Sequence, residues 1–250
     1  MSTSQPAVGN RPGLSNVVDI IIAPNAAFAR LREVPTWGWA FLVLVLLGIA
    51  GSLLSQSAVL HAMQTSLPAQ LATNPEIMKL PADQRDKAIQ NGLKFTMLFA
   101  QFAWILTPIF ALLVGLVQGL IMLIFNAVAK GDGTFKKYFA LSITVGIVGF
   151  GLQQLALGII VMLRGPNNFE TTAAVQQVVP SLALLVPGGS KALVGFLAVF
   201  NVFTLWATAL IAYGMTVVGR VSRVPAWAAA LTMLVVAALF AAWGASQAKG

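Results

Sequence analysis

The 250-residue chain contains no cysteine and one histidine, His61. The first absence excludes disulfides, thiolate nucleophiles and cysteine-held metals. The second excludes paired-histidine metal sites of the HExxH kind. A serine–histidine arrangement would rest on His61 alone, which the pattern places in a loop with no third group to orient it. Charge is also scarce, at 9% of residues against about 25% in a soluble domain. The seven acids are Asp19, Glu33, Glu76, Asp83, Asp86, Asp132 and Glu170, and all fall outside the long apolar runs. No carboxylate pair therefore reaches membrane depth for intramembrane proteolysis or a proton relay. These shortages leave no catalytic residue, metal ligand set or cofactor to name, and the chain reads as non-enzymatic.

What is abundant is apolar surface: 58% of residues are hydrophobic and the mean hydropathy is +0.85. A chain so poor in charge needs lipid as its solvent. Apolar runs occupy residues 37–57, 95–127, 139–163, 192–218 and 226–245, each near or above the roughly 20 helical residues that cross a bilayer. The expected fold is all-α, an integral membrane bundle of five transmembrane helices over 37–245. The second run would make a helix of about 50 Å, and its only breaker, Pro108, can kink a membrane helix without ending it. It is read as one long bent helix that projects past the bilayer.

The remaining segments are short. Residues 1–16 lack a cationic stretch followed by an apolar core and cleavage site, and read as a disordered cytoplasmic tail; residues 246–250 form the other tail. Residues 17–36 read as an interfacial amphipathic segment, with Pro24 opening a helix whose Phe28 and Leu31 lie opposite Arg30 and Arg32. Residues 78–94 read as a polar helix leading into the second crossing.

The net charge is +8, and its placement orients the bundle. The basic turns between the second and third runs and between the fourth and fifth are very short, and short loops are what the positive-inside bias counts. The N-terminus is therefore placed in the cytoplasm and the C-terminus outside. The first of these turns lies in AKGDGTFKKYFALS, residues 129–142, which has glycines but not the Walker spacing, and Asp132 would repel a phosphate. Lys130, Lys136 and Lys137, with Arg220 and Arg223 of the other turn, are instead candidate contacts for anionic lipid. No nucleic-acid partner is expected.

Inside the runs the polar residues are amides: Gln101, Gln118, Asn126, Gln153, Gln154 and Asn201. They read either as interhelical glue or as a polar pore lining. Asn201 and the pair Gln153 and Gln154 lie at similar depth, so an interhelical hydrogen bond between them is expected. Gly115 and Gly119 form a GxxxG for close helix packing, Gly48 and Ser52 repeat the spacing, and Thr204, Thr208, Ala212 and Thr216 make a small-residue stripe.

The segments IIIAPNAAFARLREVPTWGW, GDGTFKKYFALS and NVFTLWATALIAYGMTVVGRVSR, in that order around the apolar runs, resemble the signatures of the Yip1 domain family. The resemblance implies a five-helix membrane domain with a cytosolic N-terminus. Eukaryotic members are associated with vesicle trafficking and bind prenylated Rab-type GTPases through a chain with a longer N-terminal region. The short region here implies a bacterial member in the cell membrane, the bacterial inner membrane. The resemblance implies a membrane-organising or partner-binding scaffold, with a membrane-protein partner or a homo-oligomer; the alternative is a channel or transporter for a small solute.

Overall fold

The computed structural model describes residues 12–247. Most of the tails expected at 1–16 and 246–250 lies outside that range, while residues 12–16 already belong to the first helix. All regular structure among the described residues is helical, apart from a single bridge between Ser181 and Asn201. The chain opens with α1 (Pro12–Ile22) and α2 (Pro24–Glu33), so the expected interfacial segment is two helices. Next come α3 (Gly38–Ala72), the single turn α4 (Pro75–Met78), capped by the Asn74 side chain, and α5 (Ala82–Phe102).

A 3-10 turn, Ala103–Leu106, joins α5 to α6 (Thr107–Val128). Pro108 has no N–H to give the Trp104 carbonyl, and the Thr107 N–H takes that carbonyl instead, which tightens the helix locally. The helix expected from the second run is thus present, but it starts at Ala82 and takes in residues 82–94 of the polar lead-in expected at 78–94. Helix α3, from the first apolar run, is longer than expected too, since 35 residues make about 52 Å at 1.5 Å per residue. His61 accordingly sits on α3 and not in a loop.

The third run forms α7 (Phe135–Gly146), a π segment (Ile147–Leu152) and α8 (Gln153–Arg164). Beyond it a folded connection contains α9 (Thr172–Gln176). The fourth run is where expectation and structure part. It is broken into α10 (Lys191–Ala198) and α11 (Val202–Val218), before α12 (Arg223–Gln247) closes the chain. The break has a chemical cause at Asn201, whose side chain accepts from the Phe203 and Thr204 N–H groups while the Thr204 hydroxyl meets the Asn201 N–H. That reciprocal cap starts a new helix inside an apolar run.

Among the described residues four helices are long and apolar enough to cross a membrane: Gly38–Ala72, Ala82–Val128, Phe135–Arg164 and Arg223–Gln247. Val202–Val218 is shorter; its 17 residues reach about 26 Å.

Two cores stabilise the assembly. The larger one joins Ile20, Phe28 and Leu31 of the first two helices to Leu44, Met122, Tyr138, Leu141 and Met215 of the bundle. The smaller one, at the far end, holds Phe169, Val175, Val178 and Val179 of the folded connection against Ala58, Ala62, Leu157 and Val161.

Candidate functional site

Six chain segments meet at one end of the bundle: the α1–α2 pair, the starts of α3, α7 and α12, and the ends of α6 and α11. The pair does not lie loosely on a surface. Ala27, Phe28 and Leu31 are fully buried, and Phe28 meets the Tyr213 ring edge-on with centroids 5.7 Å apart. The Tyr213 hydroxyl donates to Asn25 at 3.0 Å. Arg30 ties α2 to α1, donating from Nε to Asn16 Oδ1 at 2.8 Å and pairing with Asp19. The outer side of α1 remains apolar, with Leu14, Val18 and Ile22 exposed.

The two basic turns are built into each other. Buried Asn126, in the last turn of α6, accepts at Oδ1 from the Tyr138 hydroxyl at 2.7 Å and from the Gly133 N–H at 3.1 Å. Its Nδ2 donates to the carbonyls of Gly131 and Gly133 at 3.2 and 3.3 Å. One side chain thereby fixes the whole GDG turn. The Asp132 N–H then donates to the Gly219 carbonyl at 2.9 Å, joining this turn to the one between α11 and α12. Gly219 has to be glycine, because a Cβ there would fall 1.9 Å from the Tyr138 hydroxyl.

Both helices that end here do so through a cation in left-handed conformation, Lys130 at φ 53° and Arg220 at φ 50°. After α6 the Gly131 N–H returns to the Asn126 carbonyl at 3.0 Å, a closure in which glycine is the usual residue at the Lys130 position. Such a conformation costs roughly 1–2 kcal/mol in a residue with a Cβ. The chain keeps charge at two positions where glycine would relieve strain.

Lys130, Lys136, Arg220 and Arg223 are exposed and Lys137 is half-buried, and all five lie at this end. Arg220 Nε also faces Asp132 Oδ2 at 3.4 Å, with both side chains at least half exposed, so the pair is screened and contributes little.

The other expected residues fall along the helices. Gly115 and Gly119 are buried and face α7: a Cβ on Gly115 would lie 2.7 Å from Ile143 Cδ1, and one on Gly119 3.4 Å from the Phe139 nitrogen. A closer approach, absent from the expectation, joins α3 to α8, where a Cβ on Gly51 would sit 2.1 Å from the Gln154 carbonyl oxygen and one on Gly158 2.5 Å from that of Gly51. The nearby Gly48 instead faces the Phe150 ring. Gln153 and Gln154 are half-buried in the first turn of α8. Asn201 is buried but spends its carboxamide oxygen on its own helix and turns Nδ2 toward the Ala198 and Val199 carbonyls. The structure therefore gives Asn201 a local partner set in place of the expected bond to Gln153 or Gln154.

Comparison with known proteins agrees with a membrane architecture. A family model described as the Yip1 domain matches residues 18–245. A membrane protein of Bacillus subtilis (strain 168), YknW, is 27% identical over 225 residues, covering 88% of this chain and 87% of its own length. No solved structure matches the chain.

Proposed function

Since this chain belongs to the Yip1 domain family, we propose that it works as a non-enzymatic scaffold of the bacterial cell membrane, holding a membrane-protein partner or a second copy of itself through the end that carries the basic turns. In this reading α11 crosses as a fifth, short helix, with the break before it seated in protein. The basic end faces the cytoplasm and the C-terminus lies outside.

The observation that carries the reading is the construction of the basic end. Hydrogen bonds from Asn126 and a buried aromatic contact from Phe28 hold turns and helices rigid there, while strained Lys130 and Arg220 remain exposed. Rigid loops that present charge are suited to recognition. Photoreactive residues at Ser222 in the basic turn and at Gln84 in α5 test the proposal in intact cells. Crosslinks to a defined membrane protein, or to a second copy, are expected from Ser222 and not from Gln84. Flux of small solutes through liposomes that hold the purified chain, above that of empty liposomes, would refute it in favour of a transport role.

The five cations also form the proposed contact for anionic headgroups, each attracted by about 1 kcal/mol near an anionic surface. Combined Lys136→Gln and Lys137→Gln should lower the anionic lipid that mass spectrometry finds on the purified protein at low salt. Retention equal to that of the parent at both low and moderate salt would remove the lipid contact and leave the partner surface untouched.

A further inference from the structure

A cavity of about 240 Å³ lies between α6, α7, the π segment, α11 and α12. With the basic end at the membrane surface, as proposed above, it sits at mid-membrane depth. Gln118 and Thr208 line it ten residues before the ends of α6 and α11, and Met233 ten residues after the start of α12, which puts them about 15 Å from the basic end of a hydrocarbon core of about 30 Å. Four of its lining residues are exposed on the outside of the bundle, Phe110 and Val114 of α6, Phe150 of the π segment and Ala237 of α12. The mouth therefore opens sideways into the bilayer.

Three irregularities border this space. The π segment contributes Gly149 and Phe150, and the break before α11 contributes Val199. Wide turns and interrupted helices cost hydrogen bonds in lipid, and they persist where the loosened backbone is buried or lines a cavity. The third is a polar pair, in which the Ser142 hydroxyl donates to the Gln118 carboxamide oxygen at 2.5 Å. Among the described residues nothing meets the Gln118 Nε2. It is thus a free donor on a side chain that lines the cavity.

We propose that the cavity binds an uncharged acyl lipid of the diacylglycerol type. One acyl chain enters between α6 and α12, and an ester or hydroxyl oxygen accepts from Gln118. The chemistry selects this class in two steps. Among the described residues no ionisable side chain lines the cavity, so a phosphate headgroup would have to leave water at mid-membrane depth with no counter-charge. A small polar solute would find mostly apolar walls, in which the hydroxyls of Ser142, Thr204 and Thr208 are already spent on protein acceptors, and a mouth that opens on lipid.

The test uses the full chain in phosphatidylcholine nanodiscs and a diacylglycerol with a mid-chain diazirine, set beside a phosphatidylglycerol bearing the same chain. Diacylglycerol should label α6 and α12 around Phe110 and Met233 several-fold more strongly than phosphatidylglycerol does. Ala237→Trp, at an exposed position beside the mouth, should abolish that labelling, whereas Val235→Trp on the exposed lipid side should leave it unchanged. Gln118→Leu should reduce it about three- to tenfold, the loss expected for one amide hydrogen bond in a membrane. Equal labelling by the two lipids, or labelling indifferent to Ala237→Trp, overturns the proposal.

Discussion

Asn126→Leu is the substitution that tests most directly how the basic end is built. It removes the acceptor of the Tyr138 hydroxyl and of the Gly133 N–H, together with the donor to two carbonyls. Tyr138 is fully buried, so its hydroxyl cannot turn to water, and an orphaned buried group costs about 1–3 kcal/mol. Gly131 and Gly133 are only half-buried, so water can satisfy part of what they lose. The expected loss is about 3 kcal/mol, made of about 2 for the hydroxyl and about 1 for the turn. Tyr138→Phe behaves differently: Asn126 keeps the Gly133 N–H, and the cost should be about 1 kcal/mol. Added to Tyr138→Phe, Asn126→Leu no longer strands a hydroxyl and should cost nearer 1 kcal/mol, which leaves a coupling of about 2 kcal/mol between the two positions. Unfolding titrated with sodium dodecyl sulfate in mixed micelles measures all four proteins of this cycle. A coupling near zero would mean that the two side chains stabilise the end independently, and the reasoning would fail.

Lys130→Gly should raise stability by about 1 kcal/mol in the same titration, because it relieves a left-handed lysine; a loss would show that the lysine stem makes a contact worth more than its strain. Asn201→Leu should destabilise by about 1 kcal/mol through loss of the α11 cap, and Asn201→Ser should recover most of that. If Gln154→Leu or Gln153→Leu shows coupling to Asn201 in a double-mutant cycle, the amide is bridging helices after all. A reporter active only outside the cytoplasm should be silent when inserted at Gly133 and active when fused after Gly250; the reverse pattern would invert the proposed orientation.

Much of the fold is legible because hydropathy and breakers are read along one chain. Four of the apolar runs correspond to the four long helices, and Pro108 stands two residues past the 3-10 turn it brings about. Lengths are less legible. Helices α3 and α5 continue well beyond the apolar runs: Ala58 and Ala62 of α3 join the small core around Phe169, while α5 buries no residue and packs along α3. The candidate site is half legible. Its cations are visible as two short turns, but which groups bind them into one structure depends on Asn126, Tyr138 and Gly219, and the last lies far from the others in sequence. The contact of Gly51 with Gly158 is hidden for the same reason. Gly158 has no glycine or serine four residues to either side, and Gly51, which has Ser55 at that spacing, carries no sign of which helix it meets.

Asn201 shows why the fourth run misleads. An amide inside an apolar run can stabilise a membrane fold by reaching across to another helix or by capping its own, and hydropathy cannot tell these apart. The residue three positions on does distinguish them. Thr204 gives Asn201 a reciprocal partner, and it makes a helix start at Val202 better satisfied than a helix running through. A continuous helix would leave the Asn201 carboxamide searching for a partner in hydrocarbon, with only about 0.6 kcal/mol on average to gain from finding one. The cap is worth more, and it satisfies backbone donors that a break in lipid would otherwise strand. The bridge from Ser181 then completes the satisfaction, since the Leu182 N–H donates to the Phe200 carbonyl at 3.1 Å. The folded connection before α10 therefore has a structural task at this point: it returns to cover the interrupted backbone, and the short α11 is stable next to the cavity because of it.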